Sequence, residues 1–171
     1  MISECRVTVE ELAWTPERAL RPAWVDRDVL VLKAEHRAPT TMGRPAYQAD
    51  VAGTVILEAG PDRRIYMVQV VYPFAAWSVV PAWPAEVLEA LKGPRGRAAL
   101  GLCLPGGKRR YAGDDLSVHA LYASGRHEGW VTWASQSAQL RAIGLSESCT
   151  ALLDGLSLVG FFGGLLPPDR F

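Results

Sequence analysis

The sequence predicts an α+β fold in a single domain, residues 1–171: a mainly antiparallel sheet of about five or six strands, with C-terminal helices packed on one side. Three observations predict it. Runs rich in β-branched and aromatic residues recur through most of the chain, separated by Gly, Pro and Asp turns. Helix signals, a capping Ser followed by Leu-rich sequence, gather near the end. The chain has 171 residues, 49% hydrophobic and 21% charged, which suits one buried core, and no repeat or low-complexity linker divides it.

The elements follow in order. In "TPERAL" (15–20) Thr15 is a cap and Pro16 sits at the first helical position, predicting a short helix. "DVLVLKAE" (28–35) reads as a strand, and "HRAPTTMGRPAYQ" (36–48) as a polar loop. "DVAGTVILE" (50–58) and "RIYMVQVVY" (64–72) flank a Gly-Pro-Asp turn and predict a β-hairpin. In the second of these, Tyr66, Val68, Val70 and Tyr72 share one face and Ile65, Met67, Gln69 and Val71 the other. Both faces are largely apolar, so this strand is expected to be central and covered on both sides. "PFAAWSVVPAWP" (73–84) is an aromatic, Pro-rich crossing. Pro84 opens the helix "PAEVLEALK", whose apolar stripe is Val87, Leu88 and Leu91.

Strands are expected again at 97–104, 116–123 and 130–134. Trp130 and Trp133, three apart on a strand, then point to opposite faces. Two closing helices follow in this reading. The first starts at Ser135 or Ser137 and ends at Gly144. The second is capped by Ser146, with Leu152, Leu153, Leu156 and Val159 as its stripe. From Leu156 to Leu166 there is no charge at all. Gly160 and Gly164, four apart, would let another helix approach closely. Phe161 and Phe162 then cannot face the same contact.

Composition limits the function classes. Lys and Arg total 18 and Asp and Glu total 18, so the net charge of zero gives no whole-molecule attraction to nucleic acid or membrane. Three cysteines, Cys5, Cys103 and Cys149, stand far apart, which fits a reduced compartment better than a disulfide framework. The opening "MISECRVTVEE" has neither a basic region nor an apolar core, and no run is long and clean enough for a membrane span. A cytoplasmic location is therefore expected.

The motif that draws attention is "CLPGGKRRYAGDD" (103–115). It is no phosphate loop: five residues rather than four separate Gly101 from Gly107–Lys108, Arg109 occupies the place of the hydroxyl, and strands flank it. It can be a basic hairpin tip. If 97–104 and 109–112 pair, Arg95, Arg97, Lys108, Arg109 and Arg110 lie together and contact phosphates, with Tyr111 stacking on a base. Asp114 and Asp115 offset part of that charge.

Catalytic signals are weak. His36, His119 and His127 lack metal-ligand spacing, and no Cys-x-x-Cys is present, so no metal and no cofactor is expected. His119 with Asp114, Asp115 or Glu128 is the best general-base grouping. Cys149, on the first turn of a capped helix, would have a favoured thiolate. "GLSLVG" and "GLSES" miss the nucleophile-elbow pattern.

The leading expectation is a non-catalytic interaction or assembly component of a cytoplasmic complex. It would bind a protein partner or a second copy through the apolar C-terminal segment, with Phe161 and Phe162, and through exposed tryptophans, Trp77 and Trp83. The alternatives are nucleic-acid or phosphoanion binding through the basic hairpin 95–110, and an enzyme with scattered residues around His119.

Overall fold

A computed structural model describes residues 7–35, 44–93, 96–104, 109–112, 117–123, 127–133 and 139–168. Among them the chain is mostly β. The strands are β1 (Val7–Leu12), β2 (Arg21–Trp24), β3 (Val29–Lys33), β4 (Tyr47–Val51), β5 (Val55–Ala59), β6 (Ile65–Val71), β7 (Ser78–Val80), β8 (Ala99–Cys103), β9 (Arg109–Ala112), β10 (His119–Ala123), β11 (Gly129–Thr132), β12 (Arg141–Gly144), β13 (Cys149–Asp154) and β14 (Ser157–Gly163). One α-helix, α1 (Ala85–Lys92), lies between β7 and β8. The expected helix at 15–20 is a single 3-10 turn, Pro16–Arg18.

Six strands form one sheet in the order β2-β3-β6-β5-β4-β9, and eight form the other. In the larger sheet β12-β13-β14-β11-β10-β7 run side by side, while β1 pairs with β14 and β8. Backbone bonds from Ala98 to Gly144 and from Gly144 to Gly96 close β12, β13, β14, β1 and β8 into a ring. The two sheets face each other across one core, drawn from Leu30, Leu57, Val68, Leu100, Val131 and Phe161 among others. A second cluster, Trp83, Val87, Trp130, Leu152, Val159 and Phe162, lies beneath α1 on the outer face of the larger sheet.

The α+β expectation is corrected: no C-terminal helices pack on a sheet, because residues 141–163 form β12, β13 and β14. The turn after β13 explains it. Asp154 pairs with Ser157 around Gly155 and Leu156, and Gly155 has φ 61°, as a type II′ turn requires at its first central position. The Leu-rich flanks are strands buried on both sides, so they show no alternation to distinguish them from a helix. A β-bulge in β14 sets Leu152 opposite Gly160 and Leu153 opposite Leu158, leaving Val159 as the extra residue. Past it, Phe161 enters the main core and Phe162 the cluster under α1.

The hairpin around Gly60–Arg63 forms, with Ala59 opposite Ile65 and β6 central between β3 and β5. Its first strand is shorter than 50–58. Ala52 and Gly53, with φ 53° and 69°, turn the chain back, so β4 and β5 are a hairpin of their own. In α1, Val87 is buried but Leu88 is 41% exposed, so Leu88 is not part of the stripe. Trp130 and Trp133 do lie on opposite sides, in different clusters. No helix among the described residues is long and apolar enough to cross a membrane.

Candidate binding surfaces

The basic hairpin does not form. β8 pairs with β1 in the larger sheet, whereas β9 pairs in parallel with β4 in the other, Gln48 opposite Arg109 and Asp50 opposite Tyr111. Arg109, Arg110 and Tyr111 therefore sit on a different sheet from Arg97. Arg97 is exposed, with its guanidinium 4.9 Å from the centre of the Trp14 ring. Arg95, Lys108, Asp114 and Asp115 lie outside the described residues.

The aromatic surface expected at Trp77, Trp83, Phe161 and Phe162 is interior. All four are at most 7% exposed. The Trp77 indole N–H donates to the Tyr72 carbonyl at 3.2 Å. Trp83 packs edge-on against Phe162, with ring centres 5.2 Å apart. Aromatic residues three or more strands apart in sequence meet here because the sheet order, not the sequence, brings them together.

His119 and Glu128 are separated as well. His119 opens β10 and stands opposite Thr132, while Glu128 precedes Gly129, which pairs with Tyr122 near the far end of β10. Cys149 begins a strand rather than a helix, so it gains nothing from a helix dipole; burial pushes its thiol up to about 12. The Cys103 thiol is also raised, by burial and then by the Glu10 carboxylate, against an opposing pull from Arg63. Among the described residues no three His, Cys, Asp or Glu side chains gather to hold a metal.

Two surfaces were missed by sequence reasoning. The first is the outward face of the six-stranded sheet. Direct pairings set Val29 opposite Val71, Val31 opposite Gln69, Gln69 opposite Ile56, and Met67 opposite Lys33 and Glu58. These residues share a face, because opposed residues point the same way. The intervening Leu30, Leu32, Val68 and Val70 fill the core, so the first set points outward. Val71 is 43% exposed, and Val25, in the turn beside Val29, is 70% exposed. The apolar character of both faces of β6 was visible in the sequence. On the outward side the burial is partial: Val31 is 7% exposed and Val71 43%.

The second is polar. A cleft of about 320 Å³ is lined by Gly93, Arg97, Gly144, Ser146, Glu147 and Thr150. The backbone N–H of Glu147 and its 3.0 Å bond from Arg21 hold the Glu147 carboxyl below the ordinary carboxylate value. A further cleft, of about 420 Å³, opens beside Arg64.

Compared with known proteins, the chain matches no family model and no curated protein sequence.

Proposed function

We propose that this chain is a non-catalytic assembly component of the cytoplasm that pairs with a second copy of itself through the outward face of the six-stranded sheet. One asymmetry carries the reading. The larger sheet has α1 and Trp83 over its outer face, whereas on the outward side of the six-stranded sheet Val71 is 43% exposed and Val29, Ile56 and Met67 are only half-buried. Apolar faces of this kind gain by packing sheet against sheet at about 10 Å. Lys33 and Glu58 stand on the same face, so its charges are of both signs, and the net charge of zero sets up no repulsion between copies. The two described cysteines are free thiols, which fits a reducing compartment. Phe161 and Phe162 of the C-terminal segment have no part in the contact, because they are spent inside the chain's own cores.

Sedimentation across a concentration series tests this. The parent is expected to dimerise, and Val71→Lys, at a position that the fold leaves exposed, is expected to be a folded monomer. A parent that stays monomeric at every concentration overturns the proposal, and so does a Val71→Lys variant that dimerises as the parent does.

A further inference from the structure

The outward face of the six-stranded sheet carries its charges in a pattern. One row across the strands reads Arg21, Lys33, Met67, Glu58 and Gln48, set by the pairings of β2 with β3, β3 with β6, β6 with β5 and β5 with β4. The next row reads Ala23, Val31, Gln69, Ile56 and Asp50. The cations thus stand on the β2–β3 side of β6 and the carboxylates on the β5–β4 side. Between them β6 shows the face Met67, Gln69 and Val71, none of them charged. Lys33, which is exposed, and Glu58, which is half-buried, are the charges nearest to β6, one strand away on either side of Met67.

Two copies that stack this face on itself are related by a two-fold axis lying between the sheets, and the axis has two natural directions. With the axis across the strands and centred on the face, each strand meets its own copy. The row of Lys33 and Glu58 then falls over the row of Val29 and Val71. Both charges are set against apolar or neutral side chains, which is costly. With the axis along β6, a residue on one side of β6 meets the residue of the same row on the other side. Lys33 then faces Glu58 of the partner subunit, and symmetry repeats the contact. Val31 faces the partner subunit's Ile56, and the residues of β6 meet their own copies. Val71 packs on Val71, and Gln69 meets Gln69, whose amides both donate and accept. Arg21 faces Gln48 of the partner subunit and Asp50 faces the partner subunit's Ala23, so no like charges come together.

We infer that two copies pack about a two-fold axis parallel to β6, joined by two reciprocal ion pairs between Lys33 and Glu58 of the partner subunit. This rests on the assembly proposed above and fixes its geometry.

Sedimentation of charge-reversed variants tests it. Lys33→Glu and Glu58→Lys each set like charges together twice, and each alone is expected to raise the dimer dissociation constant about a hundredfold. Lys33→Gln removes the attraction without adding repulsion and is expected to weaken the dimer less. An equimolar mixture of Lys33→Glu and Glu58→Lys is expected to dimerise again, because both contacts of the mixed dimer then join opposite charges. Circular dichroism checks that each variant folds; should Glu58→Lys not fold, Lys33→Glu, at an exposed position, decides alone. A parent that is monomeric at every concentration overturns the assembly and this geometry together. A dimeric parent whose folded Lys33→Glu variant dimerises equally well overturns the geometry and leaves the assembly standing. So does a mixture of the two folded variants that stays monomeric.

Discussion

Replacing Gly160 with alanine tests the architecture of the C-terminal third directly. Gly160 sits in β14 opposite Thr132 of β11 and Leu152 of β13. A Cβ there would run into the Val131 carbonyl oxygen and would lie 3.2 Å from the Thr132 Cα. These are backbone atoms, and both flanking strands are fixed, so no side chain can swing aside. Relief requires β14 to move away from β11. That strains the neighbouring ladder and the 2.9 Å bond from the Thr132 hydroxyl to the Val159 carbonyl. Overpacking of this kind costs about 1–3 kcal/mol, and each weakened hydrogen bond about 1 kcal/mol. The sum is about 3 kcal/mol, or a fall in melting temperature of about 6–12 °C for a chain of this size. Gly164 is the control. A Cβ there meets nothing nearer than 3.6 Å, and the residue is exposed, so Gly164→Ala is expected to melt with the parent. Scanning calorimetry of the three proteins decides. Equal sensitivity at 160 and 164 would point to the helix that their four-residue spacing implies, and a Gly160→Ala variant as stable as the parent would refute the strand pairing.

Two further outcomes follow from ionisable groups. With its thiol pushed up to about 12 by burial, Cys149 is expected to resist iodoacetamide at neutral pH in the native protein and to react once urea unfolds it; native labelling as fast as that of half-buried Cys103 would contradict its burial. The Glu147 carboxyl is held low in the folded state by its own backbone N–H and then by Arg21, so these bonds stabilise the fold above the unfolded carboxylate value and are lost as pH falls through the lowered one. Glu147→Gln should therefore melt slightly below the parent at neutral pH and level with it in strong acid, and a gap that persists in acid would show that the carboxylate is not its cause.

Local signals in the sequence were good guides where pairing is local. The Gly60–Arg63 turn and the β-branched runs beside it give β5 and β6, and Val29–Lys33 is a strand as its composition implies. Pairing between distant segments left no such trace. Nothing near residue 109 shows that β9 runs parallel to β4, some sixty residues earlier, and so the five cations of 95–110 looked like one hairpin. Arg64 was unremarkable for the same reason. In the sequence it is the second arginine of a turn, and its bridge to Gly101, on the other sheet, brings it to a place where it is only 9% exposed.

The C-terminal misreading was avoidable in one respect. Asp154–Gly155 between two apolar runs is a strong hairpin signal, and it outweighs the Ser caps that favoured helices. The apolar runs themselves could not decide the matter, because a strand covered on both faces has no polar side to reveal its period of two. Phe161 and Phe162 illustrate this: adjacent on β14, they are needed in different cores, one between the sheets and one beneath α1. The same reasoning bears on β6. Its two faces are as apolar in sequence as those of β14, but only the inward one is buried within the chain, and Val71 remains 43% exposed. Identical patterning thus has two outcomes, set by whether the chain supplies a second layer. Where it does, as α1 does for the larger sheet, the apolar face is buried; where it does not, part of that face meets water, as Val71 does.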